Sequence, residues 1–203
     1  MYATSLTPIE ERLDRDDRVI LHGMTWKDFE IVLAVRGDTA GVRMYYLDGE
    51  IELMSPSRGH EGNKTLLARL LEHWAIETGA ELEGFGSWTL KEEAKEAGAE
   101  PDECYIIGDP QLKDVPDFAI EVAWSRGGLH KLEIYERLGV HELWMMNRDG
   151  TVEIYALEKA HYVPVKESRV LPKLDVAWLA GFLKHPTQHE AVLALRDVLR
   201  AKR

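Results

Sequence analysis

DFAIEVAWSRGGLHK, residues Asp117–Lys131, is the stretch on which the fold turns. Its first eight residues alternate. Phe118, Ile120, Val122 and Trp124 fall on one face of a strand, and Asp117, Ala119, Glu121 and Ala123 fall on the other. The chain then turns at Gly127-Gly128 and enters LHKLEIYERLG, which is helical in period and stopped by Gly139. HELWMMN follows as the next strand, so the stretch heads a strand, helix, strand unit. An ionised carboxylate such as Glu121 is costly away from water unless a cation or metal ion meets it, so this strand calls for a partner elsewhere in the chain.

Working outward, ELEGFGSWTL and EPDECYII also read as strands, with the charged stretch Lys91 to Gly98 between them as a loop or a frayed helical turn. From His60 to about Glu77, Leu67, Leu70, Leu71 and Trp74 mark one face of a helix, with His60 and Lys64 at its head. The order is helix, three strands, helix, strand, which predicts an α/β fold with a mixed sheet flanked by helices. Additions lie on both sides. Thr25 caps a helix, WKDFEIVLAVRG, whose apolar positions Phe29, Val32, Leu33 and Val35 precede Gly37, and MYYLDGEIELMSP is a hairpin around Asp48-Gly49. TVEIYAL and HYVPVKE form a second hairpin, and QHEAVLALRDVLRAKR is a terminal helix. No repeat or long linker divides the chain, so one domain over 1–203 with a core near 43–147 is the simplest organisation.

At 203 residues and 45% hydrophobic content the chain can bury a substantial core. It has no apolar run long enough for a bilayer, and MYATSLTPIEERLDRDD is too acidic and too broken for a signal peptide, so a soluble cytoplasmic protein is expected. The single Cys104 excludes a disulfide framework and a cysteine-rich zinc site. A net charge of −11 argues against non-specific nucleic-acid binding, which rests on basic surface, and leaves room only for a local basic groove. Self-association into a symmetric dimer is compatible with this size, but no segment fixes an interface.

If a divalent ion sits at Glu121, a second acid is required, because hard cations take carboxylate and carbonyl oxygens. Asp117 shares the face, yet four residues along a strand is roughly 13 Å, too far for joint ligation. Asp102 is the better candidate, since pairing of its strand with that of Glu121 brings neighbouring chains to about 4.8 Å. Lys131, Ile134, Tyr135 and Leu138 share one helix face, and the apolar members make it the inner one. A lysine heading an inward stripe could stabilise an anionic transition state or orient a water. The plainer readings are a buried structural ion pair for Glu121 and Lys131, and a turn residue after Pro101 for Asp102. Two other motifs fail: SRGHEGNKT lacks the glycines of a phosphate loop at Arg58 and Asn63, and HPTQH lacks the acid of a metalloprotease pair at His185 and His189.

EPD, followed by PDFAIEVAWSRGGLHKLEIYERLGVHELWMM, resembles the Uma-type putative restriction-endonuclease family of the PD-(D/E)XK nuclease superfamily. The likeness runs roughly from Tyr45 to Asn147 and takes in LDGEIELMSP and His60. It implies the same helix, three-strand, helix, strand core. It also implies a magnesium or manganese site held by Asp102 and Glu121, with the Val122 carbonyl as a further ligand, and nucleic acid, DNA in particular, as substrate. Glu50 and His60 belong to the family's recurring segment and join the expected site, His60 completing the pocket or holding a carboxylate. One departure stands out. The superfamily's lysine follows the second acid by two residues, where this chain has Ala123, and Lys131 fits the relocation to the following helix seen in similar families. The competing expectations are a non-catalytic interaction or nucleic-acid-binding module on the same fold, and a hydrolase acting on something other than nucleic acid.

Overall fold

A computed structural model of the chain describes residues 14–37, 41–125 and 127–201; the segment read as lacking a leader lies mostly outside them, as do the last two residues of the stretch read as a terminal helix. Among the described residues eleven strands form two sheets. The larger contains β4 (Leu82–Gly84), β7 (Glu103–Ile107), β8 (Phe118–Ala123), β9 (Glu142–Asn147), β10 (Val152–Glu158) and β11 (His161–Val165), in the order β11-β10-β9-β8-β7-β4. β8 and β9 run parallel, joined across helix α3 (Lys131–Leu138), and every other pair in this sheet is antiparallel. With α2 (Arg58–Thr78) preceding β4, the run α2, β4, β7, β8, α3, β9 has the helix, three-strand, helix, strand order. The fold is therefore mixed α/β, as the periodicities predict.

The second sheet is antiparallel throughout, in the order β1-β3-β2-β6-β5, from β1 (Asp17–His22), β2 (Arg43–Leu47), β3 (Glu50–Ser55), β5 (Leu90–Glu92) and β6 (Ala97–Ala99). Here the structure departs from the sequence reading. ELEGFGSWTL is not one strand, because the chain leaves the larger sheet after β4 and joins the smaller one as β5. Part of the supposed loop is β6, whose small residues suit a site under a ring: a side chain on Gly98 would stand 2.7 Å from Phe29. Neither glycine nor alanine favours strands, so packing against Phe29 overrides propensity. β1, invisible in its charged surroundings, covers the edge of β3 along six residue pairs. The β2–β3 turn puts Asp48 at φ 44 and Gly49 at φ 87, the two left-handed positions that a tight two-residue hairpin requires.

The alternation in β8 sends its two faces into different cores. Phe118, Ile120, Val122 and Trp124 pack with Leu67, Leu70, Leu71 and Trp74 of α2, beneath α4 (Val176–Ala180) and α5 (Gln188–Ala201). Ala119 faces the seam between the sheets, with Tyr45, Ile134, Tyr135 and Leu138. Helix α1 (Trp26–Arg36) caps the outer face of the smaller sheet through Trp26 and Phe29. Thr25 and Asp28 form a complete capping box there, but Val35, counted among the inward positions, is 83% exposed. Trp26, Phe29, Val32 and Leu33 dock α1, and Val35 points away from that contact into water. No helix among the described residues is long and apolar enough to cross a membrane.

Candidate active site

β8 and α3 deliver the central pair to the seam between the sheets. Glu121 is almost completely buried, and both its oxygens accept phenolic hydrogen bonds: Oε2 from Tyr45 at 3.1 Å and Oε1 from Tyr135 at 2.5 Å. Burial pushes its carboxyl above the ordinary range, Lys131 pulls against that shift, and Asp102 adds to it. Pairing of β7 with β8 sets Glu103 opposite Ile120, so Asp102, just before β7, comes opposite Glu121. Asp102 is fully buried; its Oδ2 accepts from the Val122 N–H at 2.8 Å, and its Oδ1 accepts no hydrogen bond among the described residues but is ion-paired with Arg43 Nε at 3.7 Å. The Val122 carbonyl accepts from the Trp124 N–H at 2.9 Å.

His60, fully buried in the first turn of α2, stands between two carboxylates. Its Nδ1 lies 3.2 Å from Asp16 Oδ2, and its Nε2 lies 2.9 Å from Asp102 Oδ2, close in distance but off the hydrogen-bond direction. Burial works against the imidazolium, but Asp102 and Asp16 outweigh it and raise the pKa to about 9, so the ring is charged at neutral pH. Asp16 shows the mirror image. Burial alone would raise its carboxyl, whereas hydrogen bonds from His60, the Ser57 N–H and the Ser125 hydroxyl bring it down to about 2.

Lys131, at the start of α3, has its ammonium on the face of the Tyr45 ring and 3.6 Å from Glu52 Oε1. Among the described residues it makes no hydrogen bond. Burial lowers its pKa, against the pull of Glu121, Glu52 and Asp102. Asp102, Glu121, Val122, His60 and Lys131 therefore gather at one seam, while Glu50 stands apart, partly exposed and paired with His22 at 2.5 Å. Ala123, the superfamily's usual lysine position, ends β8.

Tyr45, Glu52, Tyr135, Asp16 and Arg18, all at this seam, were missed from sequence. Glu52 is fully buried in β3, accepts from the Leu129 N–H at 2.6 Å and lies 3.2 Å from Arg18 Nε. An acid flanked by Ile51 and Leu53 was the same signal that singled out Glu121. Tyr135 stood on the inner stripe with Lys131, but Asp16 and Arg18 sit in a run of charges with nothing to mark them. An open groove of about 660 Å³, lined by Asp14, Arg15, Asp17, Ser57, Arg58 and Asn63 among others, flanks the His60 side.

Among the described residues no group of three or more His, Cys, Asp or Glu side chains has the arrangement to hold a metal ion. A magnesium site needs fewer, usually one or two carboxylates completed by water. Asp102 and Glu121 provide hard oxygen donors, and the buried Asp102 Oδ1, which among the described residues accepts no hydrogen bond and lies 3.7 Å from the Arg43 guanidinium, keeps lone pairs that such an ion could take. The donor set fits.

A family model described as Uma2, putative restriction endonuclease, matches residues 26–181. Among solved structures, this chain is similar to a putative nuclease belonging to DUF820 from Anabaena variabilis ATCC 29413, at 14% identity and a TM-score of 0.48, covering 82% of this chain and 98% of that one. The comparison with curated proteins gives no match.

Proposed function

The chain belongs to the Uma2 family of putative restriction endonucleases, and from that premise we propose that it is a magnesium- or manganese-dependent nuclease hydrolysing phosphodiester bonds in DNA. The observation that carries this reading is the buried Asp102 Oδ1 opposite Glu121, which accepts no hydrogen bond among the described residues. Asp102 and Glu121 would hold the ion, with the Val122 carbonyl able to accept it on its second lone pair. An ion there supplies positive charge for the phosphate oxygens and an acidified water.

The remaining work belongs to the chain. Tyr45 and Tyr135 fix the Glu121 carboxylate, and His60 with the Val122 N–H fixes that of Asp102. Lys131 brings an ammonium to the same seam, where it can meet charge developing on the phosphate or orient the attacking water. The groove beside His60 has Arg15 and Arg58 as cations for a phosphate backbone, set against Asp14 and Asp17 on the same wall.

The test is nicking of supercoiled plasmid DNA in magnesium chloride. Wild-type protein should cleave, and folded Glu121→Gln and Lys131→Ala should each lose about 10²- to 10⁴-fold in rate. A wild type that never cleaves, or two variants that cleave as well as it does, rejects the reading. One feature favours a non-catalytic module instead: both Glu121 oxygens already accept from tyrosines and Lys131 rests on the Tyr45 ring. Calorimetry with manganese chloride separates the two, since the module would release no binding heat.

A further inference from the structure

We propose that Asp16 and Arg18, which precede the span matched by the family model, form a positioning brace that holds Asp102 and Lys131 in one frame, acting through His60 and Glu52. The inference rests on the nuclease reading for what the brace serves, but not for the brace itself. The contacts run without a gap. Asp102 Oδ2 meets His60 Nε2 at 2.9 Å, and His60 Nδ1 meets Asp16 Oδ2 at 3.2 Å. Asp16 Oδ2 lies 3.6 Å from an Arg18 terminal nitrogen, Arg18 Nε lies 3.2 Å from Glu52 Oε1, and Glu52 Oε1 lies 3.6 Å from Lys131 Nζ.

Arg18 has a second grip. Its other terminal nitrogen donates to the Ser125 carbonyl at 3.0 Å and to the Gly127 carbonyl at 2.9 Å, on the loop from Glu121's strand to Lys131's helix. One planar fork thus faces both acids and two carbonyls, a geometry that a lysine cannot reproduce. Glu52 reaches the loop from the other side through the Leu129 N–H. That approach requires glycine at 128, where a side chain would stand 2.6 Å from Glu52 Oε2. Buried ion pairs add little stability over apolar side chains of the same volume, so stability alone is a weak account of so many charges here. Fixing the two reacting groups relative to each other is a sufficient one.

The experiment reads the geometry before it reads activity. Wild type, Arg18→Gln and Arg18→Lys are treated with an N-hydroxysuccinimide ester of acetate, and acetylation of Lys131 is measured by peptide mass spectrometry against exposed Lys27. With the brace cut, Lys131 should acetylate about 10-fold faster in Arg18→Gln, the change in exposure that a loss of about 1.4 kcal/mol in local stability produces. Arg18→Lys, which keeps the charge and loses the fork, should fall between and decides the matter if Arg18→Gln does not fold. In parallel, Asp16→Asn should weaken manganese binding by about 10- to 100-fold in calorimetry. Unchanged Lys131 acetylation in the folded variants overturns the brace, whether or not the protein cuts DNA. Faster acetylation in a protein that never cleaves keeps the brace and removes the nuclease reading.

Discussion

At the scale of single residues, the seam is governed by what each buried charge meets. Tyr135 supplies one of the two hydroxyls on Glu121, and removing it leaves a buried carboxylate oxygen without its donor. Tyr135→Phe should therefore cost about 1–3 kcal/mol in urea unfolding, more than a lost hydroxyl costs on a surface. Asp16 gives a pH-dependent test. Its folded pKa of about 2 lies below the ordinary 3.8, so its contribution is present above about pH 4 and is lost as the pH falls toward 2. The stability gap between wild type and Asp16→Asn should accordingly be wide at about pH 6 and narrow steadily on acidification through that window, as read by denaturant titration. A gap that widens in acid would mean that the Asp16 carboxylate is not the stabilised form.

At the scale of elements, α3 and the loop before it carry the strictest demands. Gly128 sits at φ +98 and in close approach to Glu52, so Gly128→Ala combines backbone strain with displacement of a buried acid. A loss of about 1–3 kcal/mol is expected from the strain alone, checked by chemical unfolding. Helix α1 offers a milder contrast, because Thr25→Ala removes one capping hydroxyl and should cost about 1 kcal/mol without touching the seam. The alternation of β8 and the inner stripe of α3 were both legible in sequence, since spacings of two and of three or four residues are local. The fate of residues 81–99 was not. Its glycines, charges and alanines hold no preference between one sheet and the other, and Phe29, far away in the chain, is what selects β6.

At the scale of the whole molecule, the candidate site belongs to neither sheet alone. The larger sheet brings Glu121 and Asp102, the smaller brings Tyr45, Glu52 and Arg18, and α2 and α3 bring His60 and Lys131. Removal of residues 1–22 would strip β1 from β3, expose a strand edge and leave Glu52 without Arg18. Such a truncation should melt at lower temperature and self-associate on a sizing column, because an uncovered edge is a template for pairing. Of the candidate site set, the sequence by itself singled out Glu121, Asp102 and Lys131 as the two acids and the ammonium worth joining, along with the two-faced strand and the inward helix stripe that carry two of them. Only the tertiary structure decided that His60 joins them while Glu50 does not, and that Asp16, Arg18 and Glu52 surround them. The reason is separation along the chain: Arg18 meets the Ser125 carbonyl across 107 residues, a contact set by the packing of two sheets and encoded in no local period.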